Sequence, residues 1–318
     1  MYKSRRAFMK ELSAWAVAAG LASGPELYAK EKMPTLHFPT APRDRLAVTS
    51  YPFRAYIDAP DNGDRDKSKP GITLLEFPAQ MVEKFGIHNV NPVIEHFAST
   101  DPAYIASFRE ALAKAGSHIV DLGLNEEPFY DPDPQQRQKA VDNGKKGIDV
   151  AVAVGSPSVR QHVGARSGVA TNVDLAAESL GKLAAYGAQH NVVVNLENDT
   201  PGPEGPFFLV QVIEKAHHPY LRALPDFGNS LVGHDQAFNE RALKGMFAHA
   251  FNMAHVKEDM TGEKGEKYHV DLPRVFAIAK ASGYRGYFSM EFDGGEGDPY
   301  TGTQHLVDMT LKSLSALA

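Results

Sequence analysis

Eight short runs rich in β-branched and apolar residues, alternating with stretches suited to helices, constrain this chain more than any other feature. The runs fall at 46–50, 89–94, 119–124, 158–162, 192–197, 222–226, 253–256 and 287–291. Between two of them, Ile105, Phe108, Leu112 and Ala115 recur near a 3.6-residue period. Similar helical stretches cover 134–153, 175–188, 207–216, 272–281 and 303–317. Strands alternating with helices predict a parallel sheet with crossover helices, and eight such units close into a single α/β (β/α)8 barrel. An open doubly wound sheet is the alternative, and it usually carries a glycine-rich phosphate turn after its first strand. Here Tyr51-Pro52-Phe53-Arg54 follow the first strand instead.

In such barrels chemistry sits at the C-terminal ends of the strands. The last four runs end there in Glu197, Asp226, His255 and Glu291, which are 29, 29 and 36 residues apart. One βα unit takes roughly 30 residues, so these side chains belong to successive strands and can meet. Each alone has an ordinary reading: a cap, a loop ion pair or a satisfied core histidine. Together they form an anionic cluster that repels itself unless a cation neutralises it. Three carboxylates and one imidazole suit one divalent metal, Mn²⁺, Mg²⁺, Zn²⁺, Co²⁺ or Fe²⁺. The chain has no cysteine, so thiolate sites and disulfides are excluded.

Further residues fall at the same rim. Lys257 lies two after His255 and faces the same way, suited to a sugar hydroxyl or oxyanion, or to a salt bridge with Glu258 or Asp259. Arg160 and His162 alternate on strand four and share a face. Asn229 and Glu95 are further substrate-binding candidates, and Tyr51 and Phe53 are candidates for an apolar wall.

The N-terminus reads as an address. Arg5 and Arg6, then Phe8 and Lys10, precede an apolar run over 12–21, a pattern that resembles a twin-arginine export signal. The run is shorter than the roughly 20 residues a membrane span needs, so no stable membrane anchor is expected. Residues 1–29 are read as the signal, 30–44 as a linker and 45–318 as the barrel, with the mature protein periplasmic or secreted. The net charge of −6 disfavours a nucleic-acid partner. Association into a homo-oligomer is compatible with this reading.

The pattern resembles the xylose-isomerase-like TIM barrel superfamily, the sugar phosphate isomerase/epimerase group. The resemblance is carried by Glu197-Asn198, Asp226, His255-Val256-Lys257-Glu258-Asp259 and Glu291-Phe292-Asp293-Gly294, with Val93 to Phe97 falling where the family often places a Glu on strand two. It implies a metal quartet of Glu197, Asp226, His255 and Glu291, with Glu197 and Glu291 as the catalytic acid/base pair and a small-molecule carbohydrate as substrate. Two positions depart from the family's epimerases. Asn229 stands where many have a histidine, and no arginine closely follows the strand-seven motif. Both departures speak against a standard ketohexose epimerase or sugar-phosphate isomerase, and export speaks against a phosphorylated substrate, so a non-phosphorylated sugar or keto-sugar is expected. Enolisation at such a site permits epimerisation, aldose–ketose isomerisation, or elimination from a 3-keto-glycoside by a lyase. A superfamily endonuclease would need further histidines, for which His88, His96 and His118 are available. A non-catalytic carbohydrate-binding barrel is the remaining rival.

Overall fold

A computed structural model of the chain describes residues 32–199, 204–262, 264–293 and 297–316. Its strands are β1 (Leu46–Thr49), β2 (Asn89–Asn91), β3 (His118–Ile119), β4 (Leu122–Gly123), β5 (Ser158–Gln161), β6 (Val193–Glu197), β7 (Leu221–Leu224), β8 (Met253–Val256), β9 (Asp259–Thr261), β10 (Lys267–His269) and β11 (Tyr287–Met290). The helices among the described residues are α1 (Phe77–Phe85), α2 (Pro102–Ala115), α3 (Pro134–Val154), α4 (Val173–His190), α5 (Pro206–Ala216), α6 (Gln236–His249), α7 (Leu272–Ala281) and α8 (Pro299–Ala316).

The strands form two parallel sheets, β3-β2-β1-β11-β8 and β4-β5-β6-β7, beside a small antiparallel hairpin of β9 and β10. Two seams join the sheets. At one, β3 pairs with β2 and its continuation β4 pairs with β5. At the other, Asp226 bridges His255, with His255 N–H donating to Pro225 O at 3.0 Å and Phe227 N–H to His255 O at 3.1 Å. Each stave therefore adjoins the next and the last adjoins the first, the arrangement of a (β/α)8 barrel.

Period-two alternation sorts the strand residues. Leu46, Val48, Val90, Val159, Val194, Ala254, Val256, Phe288 and Met290 enter the main apolar cluster shared with the helices. Their neighbours Asn91, Asn195, His255 and Ser289 are buried but hydrogen-bonded in the barrel interior, His255 and Ser289 to Asn91 and Asn195 to Asn252. Helix starts and stops follow local chemistry. Asp133, Asn172, Asp235 and Asp271 cap α3, α4, α6 and α7 by accepting a backbone N–H from the first turn. Gly155 ends α3 at φ 83°, a left-handed conformation that a glycine adopts without a Cβ clash.

Several expectations shift. The second run ends at Asn91 rather than 94, because Pro92 has no N–H to extend the ladder, and Ile94–His96 form a 3-10 turn. The run at 119–124 is two short strands, since the stave changes partners there. Helices α1 and α6 lie outside the stretches read as helical. The last helix begins at Pro299 rather than 303. Residues 1–29 lie outside the described residues, and among those described no helix is long and apolar enough to cross a membrane. Within the stretch read as a linker, Leu36 packs on the core and Phe38 meets the rings of Phe251 and Tyr287 edge-on.

Candidate metal centre and cavity

The β6 terminus, the β7–β8 seam and the residue after β11 bring Glu197, Asp226, His255 and Glu291 together. One ligand-capable atom from each lies within 4.8 Å of all the others, and all four residues are buried. His255 Nδ1 faces Glu197 Oε1 at 2.6 Å and Glu291 Oε2 at 2.8 Å. Asp226 is fixed by its own turn. Its Oδ1 accepts the N–H groups of Gly228 at 2.9 Å and Asn229 at 2.7 Å. Asn198 clamps its backbone, donating to Asp226 O at 3.1 Å and accepting Asp226 N–H at 2.8 Å. The other oxygen, Oδ2, is buried without a hydrogen-bond partner, and Lys257 Nζ stands 3.5 Å away. A buried carboxylate oxygen seldom goes unpaired. With the two further carboxylates and the imidazole gathered beside it, the Asp226 carboxyl completes a donor set that fits a hard divalent ion.

The metal-free cluster is neutralised in part by its own cations, so repulsion alone does not require an ion. Lys257 Nζ lies 3.0 Å from Glu291 Oε1 and donates to Asn229 Oδ1 at 2.9 Å. It does not pair with Glu258 or Asp259. Arg160 donates to Glu197 Oε2 at 2.8 Å, and His162 Nε2 meets the same oxygen at 2.9 Å. These contacts move the titrations apart. Burial would raise the Glu197 carboxyl, but His255 and Arg160 overcome it and hold it well below the ordinary value. Glu291 likewise drops to about 2, because His255 and Lys257 outweigh its burial. Asp226 moves the other way, to about 7, through burial and its two carboxylate neighbours against the pull of Lys257. His255 rises to about 10 despite burial, because Glu291 and Glu197 favour the imidazolium.

Above the cluster opens a cavity of about 380 Å³. It is lined by Glu197 and Glu291 and by all five residues read as substrate contacts: Lys257, Asn229, Glu95, Arg160 and His162. Tyr51 also lines it, whereas Phe53 is fully buried and packs edge-on against Phe77 and Tyr300 in the core, so it forms no cavity wall. Gly123 makes room for Arg160: a Cβ there would come within 2.6 Å of a guanidinium nitrogen. Asn125, Glu126, Asp199 and Asp293 also line it and were not read as substrate contacts from the sequence, because they sit on loops whose direction no periodicity sets. The additional histidines do not join the cluster. His88 and His118 line a separate pocket with His37, Phe38 and Tyr287, and buried His96 is hydrogen-bonded to Ser50 at 2.7 Å.

The chain belongs to the xylose isomerase-like TIM barrel family, whose model matches residues 79–313. No curated protein matches it. Among solved structures it is similar to a xylose isomerase-like TIM barrel protein from Mycobacterium smegmatis in complex with magnesium. That match has 19% identity and a TM-score of 0.67, and covers 88% of this chain and 100% of the other. It is also similar to D-psicose 3-epimerase with D-tagatose from Clostridium cellulolyticum H10, at 12% identity and TM-score 0.66, covering 85% and 99%. A third is 3-keto-D-glucoside 4-epimerase from E. coli, at 13% identity and TM-score 0.61, covering 84% and 98%. At these identities the likeness is one of fold.

Proposed function

We propose that the protein is a divalent-metal-dependent isomerase or epimerase of a non-phosphorylated sugar or keto-sugar. The observation that carries this reading is the pair of buried carboxylates, Glu197 and Glu291, reaching one cavity from either side of His255. Glu197, Asp226, His255 and Glu291 would hold the ion. Once bound, the ion supplies Lewis acidity to a carbonyl and its neighbouring hydroxyl, which acidifies the carbon between them. Glu197 and Glu291 are ionised at neutral pH, and Arg160 and Lys257 hold one oxygen of each. One, as the carboxylate, would take the proton from the substrate carbon; the other, first protonated by solvent, would deliver its own proton to the opposite face. Such general acid–base transfer contributes typically about 10²–10⁴-fold.

The charge of the cavity supports an uncharged substrate. Among the described lining residues, Arg160, His162 and Lys257 each already face a carboxylate, while Glu95, Glu126 and Asp293 add negative charge at the rim. A phosphate would meet repulsion there. Export by the twin-arginine route, read from Arg5 and Arg6, belongs to the same proposal.

The test is solvent exchange. Free sugars and 3-keto-glycosides are incubated with the protein and Mn²⁺ in D₂O and followed by NMR. Deuterium enters the carbon next to the carbonyl, and Glu197→Gln and Glu291→Gln each abolish its entry. Full exchange in either variant removes that residue from the acid/base pair, and no exchange with any substrate favours a binding protein.

A further inference from the structure

Barrel interiors are usually filled by bulky branched side chains, yet here a hydrogen-bonded polar layer lies beneath the metal centre. Asp121 is fully buried, and Ser158 and Asn195 donate to its Oδ1. Asn252 ties the layer together, donating to Ser158 Oγ at 2.7 Å and accepting from Asn195 at 3.1 Å. Asn91, at the end of β2, links this layer to the centre. Its Nδ2 donates to the Asp121 backbone oxygen and to Asp121 Oδ2, both at 3.2 Å. Its Oδ1 lies 2.9 Å from His255 Nε2 and 3.4 Å from the Ser289 hydroxyl.

We infer that Asn91, oriented by Asp121, is a positioning residue that fixes the ring and tautomer of His255 so that Nδ1 is presented to a metal ion. The inference rests on the metal reading above. The orientation of the Asn91 amide follows from its neighbours. A backbone carbonyl can only accept, so the end of the amide facing Asp121 is the NH₂ group. The oxygen therefore faces His255, and an acceptor there requires the proton on Nε2. That leaves Nδ1 as the ligand nitrogen, at the point where Glu197 and Glu291 converge. A partner of this kind on the far ring nitrogen fixes which nitrogen binds metal, and losing it typically weakens metal binding about 10–100-fold.

The experiment titrates Mn²⁺ into the full-length protein by calorimetry and records the metal-free melting temperature of every variant. Asn91→Leu keeps the approximate volume and removes the acceptor; it weakens Mn²⁺ binding about 10–100-fold. Asn91→Asp alone sets two carboxylates face to face, and Asp121→Asn alone sets amide against amide; each weakens binding. The two substitutions combined restore a donor–acceptor pair with the roles exchanged, although an oxygen of residue 91 then faces the backbone carbonyl of residue 121, and recover part of the affinity. A role in packing alone lowers melting temperatures without this recovery. With Mg²⁺ bound, ¹⁵N NMR of the wild type shows His255 protonated on Nε2.

Three results overturn the inference: an Asn91→Leu dissociation constant within about twofold of wild type, far below the expected loss; a combined variant no better than the worse single; or a wild-type His255 protonated on Nδ1. Wild type that binds no Mn²⁺ overturns the metal reading and this inference together, whereas tight wild-type binding with an unaffected Asn91→Leu overturns this inference alone.

Discussion

Lys257→Met separates the metal-free from the metal-loaded protein. Lys257 is 3% exposed, and its ammonium lies 3.0 Å from Glu291 and 3.5 Å from Asp226. Methionine keeps the apolar stem and removes the charge, leaving both carboxylates short of a cation. Removing one partner of a buried pair costs about 3–5 kcal/mol. Unfolding entropy near 2.1 cal/mol/K per residue gives roughly 0.6 kcal/mol/K for a barrel of this size, so the metal-free melting temperature falls by about 5–8 °C. A dication in the cluster compensates the same carboxylates, so the loaded variant loses less. At about 100 times the dissociation constant, a ligand adds about 2.7 kcal/mol to wild type, a shift of about 4–5 °C. The shift in Lys257→Met is larger, approaching the sum of the two effects. Differential scanning fluorimetry with chelator and with Mn²⁺ reads both quantities. A metal-free melting temperature unchanged to about 1 °C, where a loss several times that is expected, or a metal-induced shift equal to that of wild type, would falsify the claim that Lys257 stands in for part of the ion's charge.

Three other perturbations probe neighbouring parts of the structure. Asp226→Asn relieves a buried carboxylate crowded by Glu197 and Glu291, so the metal-free protein becomes more stable by on the order of 2 kcal/mol while metal affinity falls at least about 100-fold; a drop in metal-free stability contradicts this. Gly123→Ala pushes the Arg160 head from its place beside Glu197, raising KM more than it lowers the melting temperature; unchanged kinetics show that Arg160 moves without consequence. His96 is lowered to about 4 by burial, with Arg54 adding to the effect, so it stays neutral in the fold while the unfolded chain protonates below about 6.5. Its stabilising effect is complete above pH 6.5 and declines as the pH falls toward 4, by about 3 kcal/mol in all. Denaturant titrations of His96→Gln across that range check this, and a variant with the same acid-side decline as wild type refutes it.

The alternation of strands and helices was legible because each stave buries an apolar face against the helices. Val48, Val90, Val194 and Val256 all mark that outer face. The four residues of the centre were legible because unit spacing maps onto neighbouring strands. Helices α1 and α6 were harder to see. The buried face of α6 includes Asn239 alongside Ala242, Leu243, Met246 and Phe247, and α1 has only nine residues, too short for a periodic signal. Asn91 and Asp121 were missed for another reason. Each is remote in sequence from His255, Asn91 at the end of β2 and Asp121 between β3 and β4, and only barrel closure brings them near. A signal was present: Asn89-Val90-Asn91 alternates amide, valine, amide where an ordinary barrel strand would be apolar on both faces.

The polar interior changes how the metal argument stands. Three carboxylates packed together suggest an absolute need for an external cation, but Arg160, Lys257 and the His255 imidazolium already oppose them. A fully compensated cluster would have every oxygen engaged. Asp226 Oδ2 accepts no hydrogen bond and has only the Lys257 ammonium 3.5 Å away, and burial raises the Asp226 carboxyl to about 7 while Glu197 and Glu291 are lowered. The centre is therefore assembled and held by its own side chains, with one carboxylate only marginally ionised. A dication held by Glu197, Asp226, His255 and Glu291 would complete the charge on Asp226 and replace the His255 Nδ1 proton, without having to fold the site around itself. Metal uptake should then change stability and local protonation while leaving the barrel's backbone as it is.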